Sequence, residues 1–266
     1  MSDNIKQCLS PIISNKEILT GTYLMWLEAS YIAVSARPGQ FVMVSCENRL
    51  LRRPLSIHRI DRNGRIALLY DVIGKGTQWL SQQKKGEKLD VLGPLGNEFT
   101  LIPEANRLLL IAGRTGIAPL VFLADVAIEQ NLSVTLLQGA ANASQLYPAT
   151  LLSEQIQYLA CTEDGSQPEI KASAKRGMAT DYIGQLASQF DQIFSCGPAA
   201  MYQSLKNQLA KIRYENSVQV SLDIRMGCGL GACYGCSIRT KQGMKKVCQD
   251  GPIFNLSDIF IEEIQT

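Results

Sequence analysis

Half of the chain's eight cysteines fall in one glycine-rich segment, CGLGACYGCSIRTKQGMKKVC, which runs from Cys228 to Cys248. Their spacing is C-x4-C-x2-C-x11-C, with Cys228, Cys233, Cys236 and Cys248 as candidate metal ligands. Four thiolates can hold zinc or an iron–sulfur cluster. Zinc is usually gripped by two separate C-x2-C knuckles. Here three thiols share one loop and the fourth lies well beyond it, which is the plant-type arrangement for 2Fe–2S. Gly227 just before the first cysteine, and Gly229, Gly231, Ala232 and Gly235 between the ligands, keep the loop small. Backbone N–H groups can then approach sulfur and stabilise a cluster's negative charge. A 2Fe–2S site is the leading expectation and zinc the alternative. Cys8, Cys46 and Cys161 stand alone and are expected to be inert thiols in or near a core.

Four other segments carry candidate chemistry. In RRPLSI (52–57), Arg53 could pair with a phosphate, and Ser56 falls on the opposite strand face unless the strand bulges. Read alone, the segment is a weak signal and reads more readily as an ordinary strand with exposed polar groups. In YDVIGKGT (70–77), Gly74, Gly76 and Thr77 stand where a helix could begin and offer N–H groups to a pyrophosphate; a plain glycine turn is the other reading. LLLIAGRTGIAPL (108–120) reads as strand, turn and helix. It keeps Gly113 and Gly116 but has Arg114 between them, so it is not G-x-G-x-x-G and is either a nucleotide site or a simple strand–helix turn. SCGPAAMY (195–202) repeats the pattern. Its Cys196 either faces the crevice at a strand's C-terminal end or is buried at a helix entry.

These residues need elements to position them. FVMVSC (41–46), PLSIHRI (54–60) and RIALLYDVI (65–73) read as strands separated by turns, and TQWLSQQ (77–83) as a short helix, which together suggest an antiparallel β-barrel. After LGPLGNEF (92–99) the texture changes. The apolar run RLLLIAG (107–113), a helix at 118–131 and strands at 133–140, 157–166 and 191–198 follow. A helix at 199–212 and a strand at 218–222 complete a parallel α/β unit. The expected organisation is all-β plus α/β in three units: a barrel over 1–100, a nucleotide-binding domain over 101–222 and a small cluster domain over 223–266. The 266 residues are 46% hydrophobic and 19% charged, with 26 basic against 24 acidic side chains. This balance gives no reason to expect nucleic acid as a partner. Apolar runs are too short for a membrane span, and MSDNIKQCLSP does not read as an export signal, so a cytoplasmic location is expected.

The order RPLS, GKGT, LGPLGNEF, AGRTGIAPL, CGP and a terminal four-cysteine cluster resembles the ferredoxin–NADP reductase superfamily. Within it, RMGCGLGACYGCSI and KKVCQDGPIF are most similar to the electron-transfer subunits of NAD-dependent (class 1B) dihydroorotate dehydrogenases. The resemblance spans about residues 38–254. It implies a barrel that binds FAD, a domain that binds NAD(H) as a diffusible substrate, and a 2Fe–2S module. It places Arg53, Pro54, Leu55 and Ser56 around the flavin and its phosphates. Leu69, Tyr70 and Asp71 would lie along the flavin, with Gly76 and Thr77 at its pyrophosphate. Gly113, Thr115 and Gly116 would line the nicotinamide nucleotide site, with Cys196, Gly197 and Pro198 near the nicotinamide. The family normally has glycine where Arg114 stands; the arginine could crowd the dinucleotide pyrophosphate or contact a phosphate. Relatives specific for NADP commonly carry basic residues after the strand that ends here at TLLQGA. ANASQ (141–145) has none, which favours NAD(H).

The implied function is electron transfer, in pyrimidine biosynthesis, between an FMN-containing dihydroorotate dehydrogenase subunit and NAD+, in a heterotetramer with two of each chain. No residue here is expected to act as acid or base on dihydroorotate, and the lone His58 is expected in a structural or flavin-edge role. One rival is the reductase subunit of another NAD(P)H-linked complex, of the sulfide dehydrogenase, anaerobic sulfite reductase or hydrogenase type. Another is a scaffold protein with structural zinc.

Overall fold

In the computed structural model, residues 5–47, 49–168 and 173–264 are described, so the first four residues of the N-terminal stretch read above lie outside them. The barrel comprises β1 (Lys6–Leu19), β2 (Thr22–Glu28), α1 (Ser30–Ser35), β3 (Phe41–Val44), β4 (Arg53–Ile60), β5 (Arg65–Asp71), α2 (Lys75–Ser81) and β6 (Lys88–Leu95). Its strands close in the order β1-β2-β5-β4-β3-β6, with all neighbours antiparallel. Closure leaves no free sheet edge and encloses Met25, Leu27, Val42, Ile57, Leu68 and Val91. Strands β1, β2 and β6 were not among those read from the sequence. β1 carries Pro11 in its middle and alternates poorly because it changes partner there. Lys6–Pro11 pair with β6, and the chain from Ile12 onward pairs with β2.

The second unit comprises β7 (Arg107–Gly113), α3 (Ile117–Glu129), β8 (Ser133–Ala140), β9 (Ile156–Thr162), β10 (Ala174–Arg176), α4 (Ile183–Leu186), β11 (Gln192–Cys196), α5 (Ala199–Lys211) and β12 (Val218–Ser221). These strands form a parallel sheet in the order β10-β9-β8-β7-β11-β12. From β7 the chain winds outward to β8 on one side and later to β11 on the other. The crevice at their C-terminal ends is the topological switch point, where open α/β sheets bind ligands. The apolar run of β7 follows from burial on both faces, with Leu108 to Ala112 fully enclosed.

The cysteine segment holds β13 (Ser237–Thr240), β14 (Gly243–Lys246), α6 (Val247–Asp250) and β15 (Ile253–Asn255). Strands β13 and β14 form a hairpin. β15 pairs antiparallel with β12 and becomes the edge of the large sheet. A ladder therefore crosses the boundary expected at 222/223. The module is also tied to the barrel. The Asn97 side-chain amide donates to the carbonyls of Asp250 (3.1 Å) and Ile253 (2.8 Å), and its oxygen accepts from the Ile253 N–H at 2.9 Å. LGPLGNEF, which ends β6 and carries the chain out of the barrel, is thus the joint between it and the terminal segment.

Candidate functional site

The cysteines lie as two pairs. The Cys233 thiol neighbours that of Cys228 and helps to lower it, and the sulfur atoms of Cys236 and Cys248 are 3.2 Å apart. Among the described residues, no three His, Cys, Asp or Glu side chains converge as ligands of a single ion. A two-by-two array suits a binuclear cluster, each metal taking two thiolates, better than one tetrahedral zinc. Backbone donors reach the sulfurs as the small residues imply: Leu230 N–H to Cys228 at 3.3 Å, Gly231 N–H to Cys248 at 3.1 Å and Cys248 N–H to Cys236 at 3.4 Å. At Cys228 burial works to raise the thiol. The N–H groups of Leu230, Cys233 and Ala232, with the Cys233 thiol, outweigh it and bring the group down to about 6. At Cys248 burial and the adjacent Cys236 thiol prevail over the Gly231 N–H and push the thiol up to about 12, so the backbone donors outweigh burial at Cys228 and not at Cys248. Gly229, at φ 73°, packs against the barrel: a Cβ there would stand 2.6 Å from Met43 Cγ and 3.3 Å from Leu95 Cδ1. Met43 pairs with Pro54 across β3 and β4. The cysteine loop is thus one strand away from RPLS.

Arg53 to Ser56 pair with β3 in unbroken register, so Arg53 and Ser56 do fall on opposite faces. The bulge of β4 comes later, between Ile57 and Arg59. Arg53 donates to the carbonyls of Leu51 (2.8 Å) and Arg52 (3.3 Å), and among the described residues it has no carboxylate partner. Arg52, by contrast, is committed to Asp90 at 2.6 Å. The Arg53 guanidinium lies over the start of α2: a Cβ on Gly76 would come within 2.7 Å of its Nε. Thr77 closes that turn, its hydroxyl accepting from the N–H groups of Ile73 (3.0 Å) and Gly74 (3.3 Å). A guanidinium without a carboxylate partner beside the first N–H groups of a helix fits a diphosphate. The residues present therefore fit FAD on the barrel.

On β5 the side chains divide. Tyr70 points into the barrel, stacks on Tyr23 and donates to Asn15 Oδ1 at 3.0 Å, so its ring is committed there. Leu69 and Asp71 point outward and line a cleft of about 390 Å³ between barrel and sheet. Arg114, Thr115, Gln138, Ser144 and Tyr147 line the opposite side. The sheet side is held by close backbone approach. A Cβ on Gly116 would stand on the Cys196 carbonyl, well inside van der Waals contact, and 2.9 Å from the Gly197 nitrogen. One on Gly113 would meet Pro198 Cδ at 3.0 Å. AGRTG and CGP, far apart in sequence, form one junction at the sheet's switch point. Cys196 is buried there, and burial, then the nearby Asp223 charge, push its thiol up to about 12. It is a packed thiol beside the nucleotide turn rather than a nucleophile. Cys46 and Cys161 are buried and Cys8 half-buried; burial pushes the Cys161 thiol up to about 11. Sequence reasoning missed Gln138, Tyr147, Tyr158 and Asp223, which carry no local motif.

An antiparallel barrel with a phosphate corner, a parallel nucleotide sheet and a terminal thiolate module together define a flavin-dependent reductase that carries an iron–sulfur cluster. Residues 223–260 match the iron–sulfur cluster binding domain of dihydroorotate dehydrogenase B. The chain is 35% identical over 266 residues to the dihydroorotate dehydrogenase B (NAD(+)) electron transfer subunit of Geobacillus sp. (strain WCH70), covering 97% of this chain and 100% of that one. It is 36% identical to that of Desulforamulus reducens (strain ATCC BAA-1160 / DSM 100696 / MI-1), covering 89% and 92%. The chain belongs to the family of dihydroorotate dehydrogenase B electron transfer subunits and is an oxidoreductase subunit. Among solved structures it is similar to the NADH-dependent reduced ferredoxin-NADP oxidoreductase, with a TM-score of 0.84 and 27% identity over 97% of this chain and 91% of that one. It shares its fold with a ferredoxin NADP+ reductase from Neisseria gonorrhoeae solved with FAD and NADP, with a TM-score of 0.63 and 14% identity over 80% and 94% of the two chains.

Proposed function

We propose that this chain carries electrons between an FMN-containing dihydroorotate dehydrogenase subunit and NAD+. FAD would be held by Arg53, Pro54, Leu55, Ser56, Leu69, Asp71, Gly76 and Thr77, with Tyr70 offering only its backbone because its ring is turned into the barrel, and 2Fe–2S by Cys228, Cys233, Cys236 and Cys248. The nicotinamide nucleotide would be received by Gly113, Thr115, Gly116, Cys196, Gly197 and Pro198. When bound, FAD supplies the exchange between paired and single electrons, and the cluster supplies single-electron transfer. The observation that carries the reading is the packing of Gly229 on Met43 and Leu95. It seats the cysteine loop against the barrel strand next to RPLS.

The residues divide the task. Arg53 offers a fixed positive charge to a diphosphate, and Gly76 keeps that corner open. Leu69 keeps water from the barrel wall of the cleft, being 4% exposed. The N–H groups around the thiols favour their anionic form. Leu230 and Tyr234 stand exposed on the cysteine loop and provide an apolar face for the partner subunit beside the cluster. The assembly is a heterotetramer with two of each chain, located in the cytoplasm; native mass measurement and cell fractionation test these two points. Among the described residues no helix is long and apolar enough to cross a membrane.

The first test is an anaerobic visible spectrum of the purified protein before and after NADH. Flavin and iron–sulfur absorption bleached by NADH is the expected result. A colourless protein containing zinc would overturn the reading. A second reading, the reductase subunit of another NAD(P)H-linked complex, draws on the full-length similarity to the ferredoxin-NADP oxidoreductase. Co-purification with a flavoprotein that does not oxidise dihydroorotate would favour it.

A further inference from the structure

His58 lies on β4, two residues past Ser56, and is wholly buried. Its Nδ1 is 2.9 Å from the Ala118 carbonyl in the first turn of α3, and its Nε2 is 3.0 Å from the Tyr147 hydroxyl beyond β8. A carbonyl only accepts, so Nδ1 carries the proton and Nε2 accepts from Tyr147; these partners assign the tautomer. The two rings meet edge to face, with centroids 5.5 Å apart. One imidazole on the barrel thus grips the nucleotide unit at two points.

The chain of bonds continues toward the cleft. The Gln138 side-chain oxygen accepts from the Tyr147 N–H at 2.9 Å and from the Tyr158 hydroxyl at 2.6 Å. Two donors fix the orientation of that amide, and its nitrogen donates to the Arg114 carbonyl at 3.4 Å. Arg114 begins the turn that ends at Gly116, and it faces Leu69 and Asp71 across the cleft. The next residue of β4, Arg59, pairs with Asp125 of α3 at 2.7 Å and adds a second tie on the same side. An apolar side chain would fill the His58 position as well. A buried imidazole with both nitrogens satisfied adds direction, because it sets distances and angles that packing alone leaves loose. Burial lowers its pKa to about 3, so Nε2 remains an acceptor at neutral pH.

We propose that His58 is a positioning residue for electron exchange between the nicotinamide nucleotide and the flavin: through Ala118, Tyr147 and Gln138 it holds the Arg114–Gly116 turn in register with β5 across the cleft. The proposal rests on the reading above that FAD and NAD(H) meet in this cleft.

The test uses the full-length protein loaded with FAD and cluster. Tyr147→Phe removes one hydroxyl and keeps the ring; His58→Asn keeps a donor near the position of Nδ1 and loses the link to Tyr147. Anaerobic rapid mixing with NADH gives a limiting rate of flavin bleaching per bound FAD and a dissociation constant for NADH. Amide exchange reports the order of residues 115–117 independently of activity. The expected result is a limiting rate lowered about 10- to 100-fold, as misplacement by about 1 Å gives. The NADH dissociation constant stays within about threefold, and exchange at 115–117 becomes faster. The double variant should be no slower than His58→Asn alone, since both cut one chain of contacts. A Tyr147→Phe protein that bleaches at the native rate overturns the proposal, and it decides the matter alone if His58→Asn does not fold. Failure of the native protein to bleach with NADH overturns the functional reading and the proposal together; native bleaching with unchanged variants removes the proposal only.

Discussion

Replacing Gly116 with alanine should damage the nucleotide junction while leaving the flavin corner intact. The new Cβ would stand on the Cys196 carbonyl and 2.9 Å from the Gly197 nitrogen. Both are backbone atoms between a buried strand and a helix entry, so no rotamer change relieves the clash. The turn must move by about 1 Å, and overpacking of this kind costs about 1–3 kcal/mol. For a chain of this size that lowers the melting temperature by roughly 3–10 °C. Arg53 and Gly76 lie on the barrel, away from the junction, so FAD content should stay near native. The displaced turn should slow flavin bleaching by NADH about 10- to 100-fold. The control is Gly184→Ala. Gly184 lies in α4 with nothing within 4 Å of its Cβ position, so alanine there should be neutral or stabilising by up to about 1 kcal/mol. The assays are thermal melts followed by circular dichroism, flavin quantitation and anaerobic rapid mixing. A Gly116→Ala protein that melts and bleaches like the native one would refute the claim that this close approach builds the site.

Gly76→Ala should behave in the opposite way. Its Cβ meets the mobile end of Arg53 at 2.7 Å, so the fold survives, but the guanidinium is displaced and FAD affinity falls about tenfold or more, read by flavin fluorescence titration. Cys233→Ser should lower iron content and abolish the iron–sulfur absorption, whereas Cys161→Ser should leave both intact; equal iron in the two variants would contradict the ligand assignment. His58 should make stability pH-dependent. Burial keeps its folded-state pKa near 3 against 6.5 for the free group, so between those values the unfolded chain binds more protons and stability falls as pH drops. From pH 6.5 to 5 this amounts to about 2 kcal/mol, and comparing melting temperatures at pH 7 and 5 for the native and His58→Asn proteins should show the slope reduced in the variant.

The parts of this molecule legible in its sequence are those whose chemistry is local. The cysteine spacing is a local constraint, and it places the thiols within one loop and the start of α6. The buried strand β7 reads as an apolar run because both its faces are covered, and its short length and closing glycine mark it as a strand rather than a helix. β1 was hidden for the converse reason: its pattern serves two partners in turn, and Pro11 sits where they change. β6 was hidden because Gly93 and Pro94 interrupt its apolar residues. The cleft was least legible. His58 and Tyr147 lie on different units, as do Gly229 and Met43, and contacts over such separations leave no spacing rule. Glycine was the one useful long-range signal, since Gly113 and Gly116 mark where another backbone must come close.

Arg114 shows how such a signal should be weighed. The sequence alone leaves two consequences open for losing a glycine here, crowding or a phosphate contact. The structure separates the demands on the turn. Gly116 is the position where another backbone approaches too closely for a Cβ, and at Gly113 Met201 and Pro198 leave only a tight fit. Residue 114 instead has φ 52°, the left-handed region, which costs a side chain about 1–2 kcal/mol and glycine almost nothing. An arginine at 114 therefore meets a conformational penalty of that size, not a steric block. The shape of the turn survives because Gln138 binds its carbonyl and Gly116 locks its end against Cys196. What the substitution changes is charge: an exposed guanidinium, without an ion-pair partner among the described residues, now lines a cleft whose other charged side chain is Asp71. The backbone thus accepts arginine at 114, and we propose that its guanidinium contacts a phosphate of the nucleotide; an Arg114→Gly protein that binds NADH more tightly than the native one would show crowding instead.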